Sequence, residues 1–166
     1  MAPPQAGNIV DVSGGMIVRP NPVRSFLPQK YWNRRADFFV NNIEFNTLGV
    51  SATATDKFQV DVDQDFLCLG LSFQEATTAA GTTEQTYAPV LVDIFENTGA
   101  NWFGLTNHLH NVFGRGTVDG MGYKPLPYPR FVSGGSTVSA RLQNLEATAR
   151  RIWLAFLGVQ IFREDA

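Results

Sequence analysis

From Asp37 onward, apolar and polar residues alternate with the period of two that marks β-strands. Residues 38–45 carry Phe39, Ile43 and Phe45 on one parity, and Phe58, Val60 and Val62 alternate with Gln59, Asp61 and Asp63. Residues 66–73 set Leu67, Leu69, Leu71 and Phe73 on one face, and Val90, Val92 and Ile94 alternate with Leu91, Asp93 and Phe95. Residues 108–113 form a weaker strand candidate, while Val138, Ala140 and Leu142 alternate with Thr137, Ser139 and Arg141. The final run, residues 150–162, is apolar on both parities: Ile152, Leu154, Phe156 and Phe162 on one, Trp153, Ala155, Leu157, Val159 and Ile161 on the other. A helix competes for such a run, but the aromatics, the β-branched residues and Gly158 favour a strand. Both faces of that strand then need cover. One faces a sandwich core, and the other needs the N-terminal segment or another subunit.

Turn residues separate these runs. Residues 75–86 are rich in Thr, Ala and Gly and predict a surface loop; residues 114–129 hold glycines and prolines and predict a long loop; Ser133–Ser136 is a tight turn. Seven to eight short strands so spaced predict an all-β antiparallel sandwich, jelly-roll-like, over residues 36–166. Residues 1–35 read as an extended N-terminal arm. Pro3, Pro4, Pro20, Pro22 and Pro28 exclude a helix or a central strand there. Apolar side chains run through the same stretch, among them Ile9, Val10, Val12, Ile17, Val18, Val23, Phe26 and Leu27. An extended apolar segment pinned by prolines suits an arm lying along a surface, its own or a neighbour's.

Composition sharpens this picture. Hydrophobic residues make up 44% of the chain and charged residues only 17%, below the roughly 25% of ordinary soluble domains, so a protein partner is expected to cover part of the surface. The charge is uneven. Residues 1–35 hold five bases against Asp11 alone, and residues 37–96 hold ten acids against Lys57 alone. A basic arm can therefore pair with an acidic body, in one chain or between neighbours. The acidic body and the lack of a basic stripe argue against nucleic-acid binding. No apolar stretch is long enough to span a bilayer, and Met1-Ala2-Pro3-Pro4 does not open a signal peptide. The expectation is a protein made in a reducing cytoplasm.

Candidate chemistry is sparse. Cys68 lies in an apolar run and reads as a small buried hydrophobe. His108 and His110, on a strand, would place two imidazoles on one face, the start of a metal site, but the chain has only these two histidines and no acid close by in sequence. Asp61, Asp63 and Asp65 resemble the opening of a calcium loop, yet Phe66 and Ser72 stand where the pattern needs Gly and Glu. Arg24, Arg34 or Arg35 is a candidate partner for these acids. Asn101, Trp102, Phe103, Tyr123, Tyr128 and Trp32 are candidates for an aromatic carbohydrate platform. No catalytic, cofactor or metal residues are expected.

One resemblance emerges in the C-terminal third. Asn111-Val112-Phe113-Gly114, Leu126-Pro127, Pro129-Arg130-Phe131, Gly135-Ser136-Thr137-Val138 and Leu142-Gln143-Asn144 lead into Trp153-Leu154-Ala155-Phe156-Leu157-Gly158-Val159-Gln160. This resembles β-sandwich virion proteins of tailed bacteriophages, of the kind that decorate or cement capsids or sit at the head–tail neck. The motifs are short, and about residues 38–162 take part. The resemblance implies a non-enzymatic virion protein that binds a major capsid or neck protein, forms a homo-oligomer (most simply a trimer) and reaches a neighbour with its arm. The interface residues expected are Ile17, Val18, Arg19, Val23, Arg24, Phe26, Leu27 and Lys30 on the arm, with Trp153 and Leu157 on the last strand. The alternatives are a carbohydrate- or receptor-binding module of a virion fibre, which calls for exposed aromatics beside a polar groove, and a metal-dependent cupin-like enzyme.

Overall fold

The computed structural model describes residues 27, 29–32, 34–77, 89–97, 99, 101–104, 106–115 and 123–163. The chain divides into two units, residues 1–34 and 35–166. In the first, a 3-10 turn at Gln29–Tyr31 follows Pro28. Its end is fastened locally: the Trp32 amide donates to the Gln29 carbonyl at 3.1 Å and its indole N–H to the Leu27 carbonyl at 3.0 Å.

The second unit is a β-sandwich. Its strands are β1 (Ala36–Leu48), β2 (Thr53–Gln59), β3 (Gln64–Thr77), β4 (Val90–Glu96), β5 (Asn107–His108), β6 (Gly114–Arg115), β7 (Lys124–Val132), β8 (Thr137–Asn144) and β9 (Arg150–Phe162), with one helical turn, α1 (Leu109–Val112), between β5 and β6. One sheet runs β1-β9-β3, with β7 and β6 both on the far side of β3; the other runs β2-β8-β4-β5. Every pairing is antiparallel except the two-residue β3–β6 bridge. Counting β6 and β7 as one position gives eight strand positions, four in each sheet, in the strand order of a jelly roll. The expected all-β sandwich is thus present. Two expected loops are shorter than read from sequence, since β3 continues through Glu75 and Ala76, and β7 takes up Lys124–Pro129.

The core lies between the sheets. Ile43 and Phe45 of β1, Ile152, Leu154 and Phe156 of β9, Val90, Val92 and Ile94 of β4 and Val138, Ala140 and Leu142 of β8 all face it. Phe156 sits at its centre, edge-on to Phe58, Trp102 and Phe113 with ring centroids 5.1, 5.9 and 5.8 Å away.

The face assignment of β3 needs correction. A register shift between Cys68 and Gly70 inserts Leu69 opposite no partner on β9. Such a bulge reverses the parity beyond it. Phe66 and Cys68 face the core on one side of it and Leu71 and Phe73 on the other, while Leu67 turns to the outer face. Gly70 lies at the bulge because a Cβ there would overlap the Tyr123 ring and stand 2.8 Å from the Lys124 carbonyl. Val62, read as a strand residue, belongs instead to the exposed turn between β2 and β3. The outer face of β9 is also covered within the chain. Leu157, Val159 and Ile161 are buried, as is Leu67 beside them. Leu157, Val159 and Ile161 therefore need no second subunit to cover them.

Candidate functional site

The sequence candidates do not converge on one centre. After His108 the chain leaves the strand, because Leu109, Val112 and Phe113 are buried at helical rather than alternating spacing. His108 is therefore exposed at the sheet edge, whereas His110 packs edge-on against Phe73 with centroids 5.0 Å apart. The two imidazoles do not share a strand face. Among the described residues, no group of three or more His, Cys, Asp and Glu side chains is placed to hold a metal ion. Cys68 is buried, and burial pushes its thiol up to about 12, the pKa of an inert packing residue.

The three aspartates also separate. Asp61 and Asp63 are exposed in the turn, while Asp65 is buried at the start of β3. Asp65 accepts from the Gly134 amide at 2.9 Å and from Arg163, whose guanidinium also donates to the Val62 carbonyl at 3.1 Å. Arg163 is thus an arginine partner of Asp65, while Arg24 lies outside the described residues. Arg163 ties the end of β9 to the β2–β3 and β7–β8 turns.

Two members of the expected aromatic platform belong to the core instead. Trp102 is buried in the core, with its indole N–H on Glu96 at 3.0 Å, and Phe103 packs against the same cluster. Tyr123 and Tyr128 remain on the surface near β7, Tyr128 with 84% of its area exposed, and the Tyr123 hydroxyl donates to the Leu69 carbonyl at 3.2 Å.

Of the expected interface residues, Ile17, Val18, Arg19, Val23, Arg24 and Phe26 lie outside the described residues. Lys30 lies over the Tyr31 ring at 4.8 Å, and the Leu27 carbonyl accepts the Trp32 indole. Leu157 is buried. Trp153 is half-buried on the outer face of β9, where its indole donates to Glu44 at 2.8 Å and Arg151 stacks on its ring at 4.6 Å. Arg151 also pairs with Glu44 at 2.6 Å, and that pairing holds the Glu44 carboxyl below its ordinary pKa.

A polar recess of about 290 Å³ opens on the outer face of the second sheet, lined by Thr53, Leu91, Asp93, Thr106, Arg141 and Gln143. Asp93 and Arg141 are directly opposed on β4 and β8. Alternation in β4 indicates that Asp93 points away from the core, but nothing in the sequence supplies its cross-strand partner. The Asp93 side chain is 5% exposed and that of Arg141 53%. Both Nε (3.1 Å) and a terminal nitrogen of Arg141 donate to one Asp93 oxygen. Burial pushes the Asp93 carboxyl upward, but Arg141, with smaller help from Thr106 and Asn101, outweighs it and leaves the pKa below the ordinary value.

A depressed carboxyl pKa adds stability above the unfolded-state value, about 3.9, and that stability is lost as pH falls through the lower folded value. Asp93→Asn is therefore expected to cost about 1–2 kcal/mol at pH 7, the half-exposed arginine tempering the pair. The gap between wild type and variant in urea midpoint should shrink at pH 3. A gap unchanged between the two pH values would contradict this assignment.

The described residues thus carry separate contact features: the Trp153–Arg151–Glu44 group on the first sheet, the exposed tyrosines near β7 and a salt-bridged recess on the second sheet. No protein-family model and no curated protein matches the chain.

Proposed function

We propose that the protein is a non-enzymatic structural component of a tailed-phage particle, which binds a capsid or neck protein and ties subunits together, with residues 1–35 as the attaching arm. The observation that carries this reading is the jelly-roll strand order of the body, an architecture that viral capsid proteins use, joined to a proline-pinned basic arm. Extended chain with few conformations loses little entropy on docking. Ile17, Val18, Val23, Phe26 and Leu27 supply apolar contact, and Arg19, Arg24 and Lys30 supply charge for an acidic neighbour. On this reading the low charged fraction reflects surface that is covered in the particle.

The test has two arms. Mass spectrometry of gradient-purified phage particles from a lysate encoding this chain should find it in stoichiometric amounts; particles without it would end the reading. A chain lacking residues 1–30 should keep its circular dichroism spectrum yet fail to join particles that lack the wild-type protein. Exposed ion pairs are worth only about 0–1 kcal/mol each, so replacing Arg19, Arg24 and Lys30 together should weaken attachment modestly and make it less salt-sensitive. A truncated chain that attached as tightly as the full one would make the arm a passive tail.

A further inference from the structure

The edges of the two sheets are unequal. On one side of the β1-β9-β3 sheet, β7 carries Pro125, Pro127 and Pro129 between Lys124 and Arg130, and prolines and cations are what blunt a strand edge. In the other sheet, β5 has two residues, and β2 is short and carries Asp56 and Lys57. β1 is different. It has 13 residues, none of them Pro, Lys or Arg, and among the described residues it pairs only with β9.

The ladder fixes which main-chain groups of β1 are open. The Phe162 amide donates to the Arg35 carbonyl at 3.0 Å. Antiparallel pairs alternate between bonded and non-bonded, so Asp37, Phe39, Asn41 and Ile43 turn their main-chain groups to β9. Ala36, Phe38, Val40, Asn42 and Glu44 turn theirs away from β9, to an edge with which no described strand pairs. The same stretch exposes Phe38 (69%) and Phe39 (40%). The six residues between Asp37 and Glu44 carry no charge, and such an edge can template another strand.

We propose that this edge pairs with β1 of a second copy, antiparallel about a two-fold axis through Phe39, so that two sheets become one. The side chains select that register. Phe38 of each copy meets Val40 of the other on the outer face, Phe39 meets Phe39 on the inner face, Asp37 meets Asn41, and Arg35 comes to the strand end that carries Glu44. Centring on Asp37 would oppose two carboxylates. Centring on Asn41 would set Phe38 against Glu44, and centring on Val40 would set Phe38 against Asn42. The inference rests on the strand ladder and stands apart from the particle reading.

The full-length chain at micromolar concentration is expected to be a dimer by light scattering. The Val40 amide faces the open edge, so Val40→Pro removes no bond to β9. It should weaken the dimer about 100-fold, the scale of a proline in a ladder, with circular dichroism unchanged. If that variant fails to fold, the double variant Phe38→Lys, Val40→Lys takes its place. Phe39 would occupy a non-bonded pair with Cα atoms about 4.5 Å apart, a spacing that a disulfide spans. Phe39→Cys should therefore cross-link copies when diamide is the oxidant, and Asn41→Cys should not; buried Cys68 does not compete. A monomeric or trimeric wild type, a dimer indifferent to the edge variants, or an uncross-linked Phe39→Cys would each overturn the proposal.

Discussion

Gly158→Ala is expected to lower the stability of the body by about 3 kcal/mol, at the upper end of what overpacking costs. Gly158 lies on β9 opposite Cys68, one step from the β3 bulge. A Cβ on it would overlap the Leu67 carbonyl oxygen and stand 2.9 Å from both the Leu67 carbonyl carbon and the Phe66 ring. A flexible side-chain tip can swing aside, but the Leu67 carbonyl belongs to the central strand of the sheet and is held there by the ladder. Relief requires β3 and β9 to part where they bury Phe66, Leu67 and Val159. Gly49→Ala is the control: its Cβ would meet only the Ala52 Cβ, at an ordinary 3.5 Å. There the loss of unfolded-chain freedom should make the change neutral or stabilising by up to about 1 kcal/mol. Urea midpoints at constant slope compare the two, and a Gly158→Ala midpoint as high as that of Gly49→Ala would refute the close-approach argument.

The same region shows how far the sequence could be read. Strand positions with a regular period of two were legible, since Val90, Val92 and Ile94 and then Val138, Ala140 and Leu142 do face the core. Alternation carries no mark of a bulge, however, so the faces of Leu67 and Leu69 could not be placed without the register against β9. The two histidines misled for a related reason. A short apolar run fits a strand and a helical turn equally well, and only the burial of Leu109, Val112 and Phe113 decides between them. Charged partners were the least legible. Asp65 with Arg163, Asp93 with Arg141 and Glu44 with Arg151 are 98, 48 and 107 residues apart in sequence. Strand order alone brings them together.

Arg150→Met is expected to cost about 3–5 kcal/mol, the range for removing one partner of a buried ion pair. Arg150 opens β9 on the inward parity that continues into Ile152, Leu154 and Phe156, and Glu75 continues the inward row of Leu71 and Phe73 on β3. Two charges therefore close one end of an otherwise apolar core. The Arg150 side chain is 5% exposed and that of Glu75 2%, with 3.9 Å between a guanidinium nitrogen and the carboxylate. Glu146, 27% exposed, accepts from Arg150 Nε at 2.8 Å and from a terminal nitrogen. Removing the arginine leaves Glu146 close enough to solvent to rehydrate. Glu75, by contrast, stays buried and loses its ion pair with Arg150, and that loss inside the core is the main cost. Replacing both partners by apolar or neutral groups of similar volume removes the uncompensated charge. The double variant Glu75→Gln, Arg150→Met should accordingly recover a large part of the loss, so that its ΔΔG is smaller than the sum of the two single changes. Chemical denaturation of the four proteins in a double-mutant cycle measures the coupling directly. Additive losses, or an Arg150→Met variant within about 1 kcal/mol of wild type, would mean that the cluster is hydrated and not part of the core.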